Sequence, residues 1–163
     1  RHTTCRSGPW LAGAMAMGHP RNDDFNGATQ DGVGYHQTTT RNGRRCSTAV
    51  GYLRPAMMRP NLHVITEAYS EKLEFAGKHA TGVTFRRHGE VWTAHANREV
   101  ILCGGAINSP QLLLLSGIGP EGHLKEMGIP VVHALAGVGK NLQDHYSAPV
   151  KVKAKLPITV SAR

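Results

Sequence analysis

Glu99-Val100-Ile101-Leu102-Cys103-Gly104-Gly105-Ala106-Ile107-Asn108-Ser109-Pro110-Gln111-Leu112-Leu113-Leu114-Leu115-Ser116-Gly117-Ile118-Gly119-Pro120 is the stretch that decides how the rest of this sequence is understood. Residues 99–102 form a short apolar run of the kind expected from a strand buried on both faces. Two glycines and an alanine follow, and then a helix start. Asn108 or Ser109 can cap that helix, Pro110 suits its first turn, and Gly117 stops it. A strand, a turn of small residues and a helix N-terminus make the unit with which α/β folds bring bare backbone up to a phosphate or an adenine. The residues alone leave an ordinary strand–helix unit without a ligand equally open. The same stretch holds a decoy, because Gly117-Ile118-Gly119-Pro120-Glu121-Gly122 fits GxGxxG letter for letter. A dinucleotide loop must follow a strand and open a helix. This one ends a helix and contains Pro120, so a helix-terminating turn is expected.

Upstream, from Asn61, strand-like segments alternate with short turns. A strand within 63–75, a turn at Ala76-Gly77-Lys78, a return over 81–87, a turn at His88-Gly89-Glu90 and a third strand over 91–96 predict a three-stranded meander. The first third of the chain is expected to be irregular. It holds Gly8-Pro9, a small-residue run at 11–18, a dense turn signal at Arg21-Asn22-Asp23-Asp24-Phe25-Asn26-Gly27, and a β-rich segment at 35–40 closed by Asn42-Gly43. Ser47 can cap a short helix through Leu53, which Pro55 would break. Downstream, 123–127 reads as a helix ended by Gly128, 129–132 as a short strand, and Gly137-Val138-Gly139 as a tight turn.

Composition narrows the function classes. The 163 residues are 40% hydrophobic and 18% charged, which fits a globular chain. No apolar run approaches the roughly 20 residues of a membrane span. The net charge of +8 raises nucleic acid as a partner. The basic residues are dispersed, however, and at 6% aromatics base-stacking platforms are scarce, so no nucleic-acid partner is expected. Attraction for an anionic cofactor and solvated faces account for the charge better. Three cysteines with no CxxC pair argue against a disulfide framework, and the ten histidines form no HExxH or HxH pair, so no metal site is expected. A reducing, cytoplasmic setting is expected, with peripheral attachment to an inner membrane as the alternative for a longer enzyme. The chain starts at Arg1 and ends at Arg163, just after the strand-like Ile158-Thr159-Val160, and is expected to be an internal piece of a longer polypeptide. Asp144-His145 is a candidate charge-oriented histidine, although neighbours on a strand face opposite ways.

Taken together, several stretches resemble the glucose–methanol–choline oxidoreductases. Residues 105–120 look like that family's second diagnostic motif, and Gly137-Val138-Gly139-Lys140-Asn141-Leu142-Gln143-Asp144-His145 resembles the block that follows it. Asp24-Phe25-Asn26-Gly27, Gly32-Val33-Gly34, Arg44-Arg45-Cys46-Ser47-Thr48-Ala49 and Arg59-Pro60-Asn61-Leu62-His63-Val64 fall in the family order. The similarity covers nearly the whole chain and leans toward bacterial choline-dehydrogenase-like alcohol dehydrogenases. Ala134 and Ala136 depart from it, at places where an Asp and a Pro are commoner.

The resemblance implies FAD as hydride acceptor and a small-molecule primary alcohol as donor. It leaves the electron acceptor open, because oxidases and dehydrogenases share these motifs. The implied fold class is α/β with an α+β admixture: part of a FAD-binding Rossmann-like domain interleaved with part of an antiparallel-sheet substrate domain. On that scheme residues 1–60 are a loop-rich segment of the substrate domain. Residues 61–122 carry the FAD-domain meander, strand and strand–helix unit, and 123–163 close the FAD domain and begin the substrate-domain sheet. Ser70 is expected to meet the adenine through its backbone, the Gly104-Gly105-Ala106 turn to lie along the adenosine side, and His145 to lie near the active site. Choline-oxidising members resemble one another in a glutamate two residues after that histidine, where this chain has Ser147. An uncharged aliphatic or aryl alcohol is therefore the expected substrate. The family's phosphate loop and its hydroxyl-proton base match nothing in this sequence, and the chain alone is expected to be inactive. The alternative is a non-catalytic, β-rich scaffold without cofactor.

Overall fold

The computed structural model describes residues 7–149. Cys5, the alternating lysines at 151–155 and the strand-like segment at 158–160 lie outside the described residues. Within it the chain is a mixed α/β protein whose sheets are small and mostly antiparallel. It divides into two compact units, Arg1–Val64 and Ile65–Arg163.

The first unit is more regular than its sequence suggests. Ser7–Ala16 is a helix, α1. Alanine, leucine and methionine are strong helix formers, and Pro9 falls in the first turn, where its missing N–H is not needed. The expectation of an irregular start is corrected there. The following loop folds back on itself through a parallel bridge between Arg21 and Val33. Buried Asn22 organises it: its Nδ2 donates to the carbonyls of Thr29 at 2.8 Å and Asp31 at 3.2 Å, and its Oδ1 accepts the Asp24 N–H at 2.8 Å. Strands β1 (Thr40–Arg41) and β2 (Arg44–Arg45) form a hairpin with Asn42 at φ 51° and Gly43 at φ 72°. Both positive angles are what a two-residue hairpin turn of matching twist demands. A π-helical turn, Ala49–Leu53, runs directly into α2 (Arg54–Ala56). Pro55 therefore does not break a helix, because it sits in the first turn of a new one.

The second unit is built on the expected meander. Strands β3 (Tyr69–Ala76), β4 (His79–Arg87) and β5 (Glu90–His95) pair antiparallel in the order β3-β4-β5. Leu73 pairs with Val83, and Val83 with Ala94; Phe85 pairs with Trp92. These residues share one face, and Leu73 and Phe85 are buried. On the opposite face Thr84 Oγ1 donates to Glu74 Oε1 at 2.6 Å and lies 3.3 Å from Thr93 Oγ1. The sheet is thus apolar on one side and polar on the other, as period-two side chains require. Helix α3 (Gly105–Leu115) packs on β3.

Three local expectations are corrected here. Residues 99–102 are not a strand, and Ile101 is 72% exposed. A strand of that kind needs neighbours on both edges, and none pairs with it among the described residues. Helix α3 starts at Gly105 instead of after Asn108 or Ser109, which leaves Pro110 inside it. Ser109 still helps the start, because its Oγ accepts the Gly104 N–H at 3.0 Å. The strand expected over 129–132 falls just after it, where β7 (His133–Ala134) runs parallel to β6 (Ile118–Gly119).

The GxGxxG decoy is a turn and a joint. Gly117 (φ 83°) ends α3, its carbonyl accepts the N–H groups of Val132 at 2.9 Å and His133 at 3.1 Å, and Gly119 O accepts Leu135 N–H at 2.8 Å. Helix α4 (Glu121–Glu126) follows, anchored by fully buried Leu124.

Candidate functional site

Between the start of β3 and the flank of α3 lies a cavity of about 370 Å³. Ala68, Tyr69 and Ser70 form one wall, residues 100–104 another, and Asn108, Gln111, Leu112 and Leu115 a third, with Val83 also in the lining. Asn108, Gln111, Leu112 and Leu115 fall on one helical stripe, because residues three and four apart share a face. Val83, Leu102, Leu112 and Leu115 give the lining an apolar part. Ser70, Asn108 and Gln111 add polar side chains to it. A Cβ on Gly104 would be a tight fit, 3.2 Å from Asn108 Cβ and 3.3 Å from the Ser109 nitrogen. That volume is in the range of small-molecule pockets.

A second cavity, of about 500 Å³, opens on a different flank of α3. Ala106, Ile107, Pro110 and Leu114 face residues 139–143 across it, and Gln111 lines both cavities. The first unit holds a smaller one, about 190 Å³, lined by Asp23, Tyr35, His36, Gln37 and Thr38.

Among the residues singled out from sequence, the fold brings Ser70 and Gly104 into one cavity, although they are far apart in the chain. Gly105 opens α3 in left-handed backbone, and Ala106 turns toward the second cavity. His145 and Ser147 are exposed and line neither cavity. Asp144 does not orient the His145 ring; its Oδ1 accepts the backbone N–H of His145 at 2.8 Å. Asn108, a cap candidate by sequence, instead lines the cavity with Gln111 one helical step on, and Ser116 lies just past the helix end. No metal-binding cluster occurs among the described residues. No helix among them is long and apolar enough to cross a membrane.

With that architecture in view, the comparisons with known proteins agree with one another. The family model for GMC oxidoreductases matches residues 1–147, and the chain belongs to that family. The oxygen-dependent choline dehydrogenase of Burkholderia cenocepacia (strain HI2424) is 52% identical over 150 residues, covering 91% of this chain and 26% of that protein. Oxygen-dependent choline dehydrogenase 1 of Chromohalobacter salexigens is 48% identical over 154 residues, covering 94% and 28%. Among solved structures, a FAD-dependent oxidoreductase from Chaetomium thermophilum superposes with a TM-score of 0.73 at 32% identity, over 88% of this chain and 25% of that one. A formate oxidase variant from Aspergillus oryzae gives 0.74 at 27% identity, over 88% and 26%. The chain therefore spans about a quarter of the length of the relatives it matches.

Proposed function

We propose that this chain forms part of a FAD-dependent oxidoreductase acting on the CH–OH group of a primary alcohol, and that the cavity beside α3 receives the adenosine end of the cofactor. The observation that carries the proposal is the meeting of Ser70 and Gly104 in one cavity lined by both apolar and polar residues. Names of the related proteins, which include FAD-dependent oxidoreductases and choline dehydrogenases, support the same chemistry. FAD supplies a flavin that accepts the hydride. The chain's own residues bind and orient. Ser70 meets the adenine edge through its backbone, Gly104 and Gly105 keep side chains away from the cofactor, Ala106 continues that turn on the side of the second cavity, and His145 and Ser147 lie toward the alcohol. The base that takes the hydroxyl proton is not among these residues. The preferred alcohol is uncharged, and the setting is cytoplasmic.

A chimaera tests this: the Burkholderia cenocepacia relative with its matching quarter replaced by the present chain. It is expected to retain flavin absorbance and to oxidise alcohols. A folded chimaera without flavin would contradict the cofactor assignment. The chain by itself is expected to give no turnover with any alcohol, even with FAD and an artificial acceptor. General-base catalysis contributes about 10²–10⁴-fold, and the base is missing. Turnover by the chain alone that disappears in His145→Ala would show that the base had been misplaced. Within the chimaera, Ser70→Val is expected to change FAD affinity by less than about twofold, since its contact is through the backbone. Gly104→Val is expected to weaken it about tenfold or more, because a Cβ there already lies 3.2 Å from Asn108 Cβ and the added branches overpack the cavity wall by about 1–3 kcal/mol. Equal effects in a flavin-release titration would contradict the assignment.

A further inference from the structure

We propose that Ser116 is a positioning residue for the cofactor cavity, holding its two main walls in register through one buried hydroxyl. This deepens the adenosine-site proposal and rests on it. Ser116 is 2% exposed, at the C-terminal end of α3. Its Oγ donates to the carbonyl of Leu112, a residue of the cavity wall, and accepts the backbone N–H of Leu73 at 2.8 Å. The second bond joins residues 43 apart.

Its position explains why a hydroxyl is needed. Strand β3 is the edge of its sheet, paired to β4 on one side only. The Leu73 N–H points off that free edge into a buried place, where an unpaired donor is expensive. Ser116 satisfies it and so fixes how far along β3 the helix sits. Ser70 lies one short step up the same strand, past a register shift between Ser70 and Lys72. Ser70 is paired with Phe85 on β4, so β4 fixes its place within the sheet but not its place against α3. The hydroxyl of Ser116 fixes that second relation, tying β3 at Leu73 to α3 at Leu112 and so placing Ser70 against Asn108, Gln111 and Leu112. Gly117, the next residue, ties the same joint to Val132 and His133. The joint therefore aligns the cavity walls without touching a ligand in the cavity.

The test uses the whole chain, with ADP as the probe. Amide resonances of Ala68, Ser70 and Gly104 are followed during ADP titration, together with hydrogen exchange at the Leu73 amide. In the unsubstituted chain, ADP is expected to shift the cavity amides at millimolar concentration, and the Leu73 amide to be protected. Ser116→Ala is expected to lose that protection and raise the ADP Kd about tenfold, in line with a buried donor left unpaired. Ser116→Thr, which keeps the hydroxyl, is expected to restore both. Leu124→Ala, which opens a void away from the cavity, serves as the stability control and is expected to leave the Kd of the folded fraction unchanged. If Ser116→Ala binds ADP as the unsubstituted chain does, the positioning role falls while the adenosine site stands. A Thr variant as weak as the Ala variant also removes the role of the hydroxyl. If ADP shifts none of the cavity amides in the unsubstituted chain, the adenosine site falls and this role with it.

Discussion

Ser147→Glu is expected to raise kcat/KM for choline by about 10²- to 10³-fold in the chimaera, several kcal/mol of transition-state stabilisation. A trimethylammonium group leaving water needs a counter-charge, and a buried unpaired ion is costly. Residues 145–149 read His-Tyr-Ser-Ala-Pro and contain no acid. The nearest carboxylate, on Asp144, is engaged with the backbone N–H of His145. Tyr146, 96% exposed, has a ring able to give a cation–π contact worth roughly 0.5–2 kcal/mol, a partial substitute at best. An aliphatic or aryl alcohol requires no such partner. Steady-state comparison of choline with medium-chain and benzylic alcohols checks this before any substitution is made. The relatives named choline dehydrogenases make the comparison a sharp one. A higher kcat/KM for choline in the unsubstituted chimaera would overturn the uncharged-substrate proposal.

Gly117→Ala is expected to destabilise the second unit by roughly 2–5 kcal/mol, combining the left-handed backbone penalty with overpacking. Gly117 has φ 83°, and a Cβ there would run into the Pro130 carbonyl oxygen and crowd the Val132 backbone nitrogen. Both groups belong to the segment that Gly117 O holds by hydrogen bonds. Relief would therefore break the joint it was meant to keep. Gly128→Ala is the matched comparison. Its φ is 68° but nothing lies within 4 Å of an added Cβ, so only the backbone penalty of about 1–2 kcal/mol applies. Urea unfolding of both variants measures the gap between them. Equal losses would mean that the Pro130 contact gives way freely.

What was legible in the sequence was local. The turn at Asn42-Gly43 needs two positive φ angles, and Asn and Gly adopt them. The meander announced itself through short turns between strand-length segments. The GxGxxG at 117–122 could be discarded as a phosphate loop because its order of elements was wrong, and the fold shows a helix end followed by a two-residue strand. Other features were illegible for equally physical reasons. Residues 99–102 have a buried strand's composition, but a strand exists only where another backbone pairs with it. Pro110 reads as a first-turn residue, yet α3 begins earlier, at Gly105, and Ser109 Oγ accepts the Gly104 N–H from inside the helix. Asn22 was one polar residue among many in a turn-rich stretch. Only the folded loop shows that its side chain binds Thr29, Asp31 and Asp24 at once.

By itself, then, the sequence determined the turns, the meander and the family, because each rests on backbone angles or residue order within a short window. Tertiary structure alone decided that Ser70 and Gly104 share a cavity while Ala106 faces another. It also decided that the Leu73 amide finds its acceptor 43 residues away on Ser116. Those outcomes depend on how a helix seats on a sheet edge, and that is set by burial of side chains and by unpaired backbone groups seeking partners across the fold.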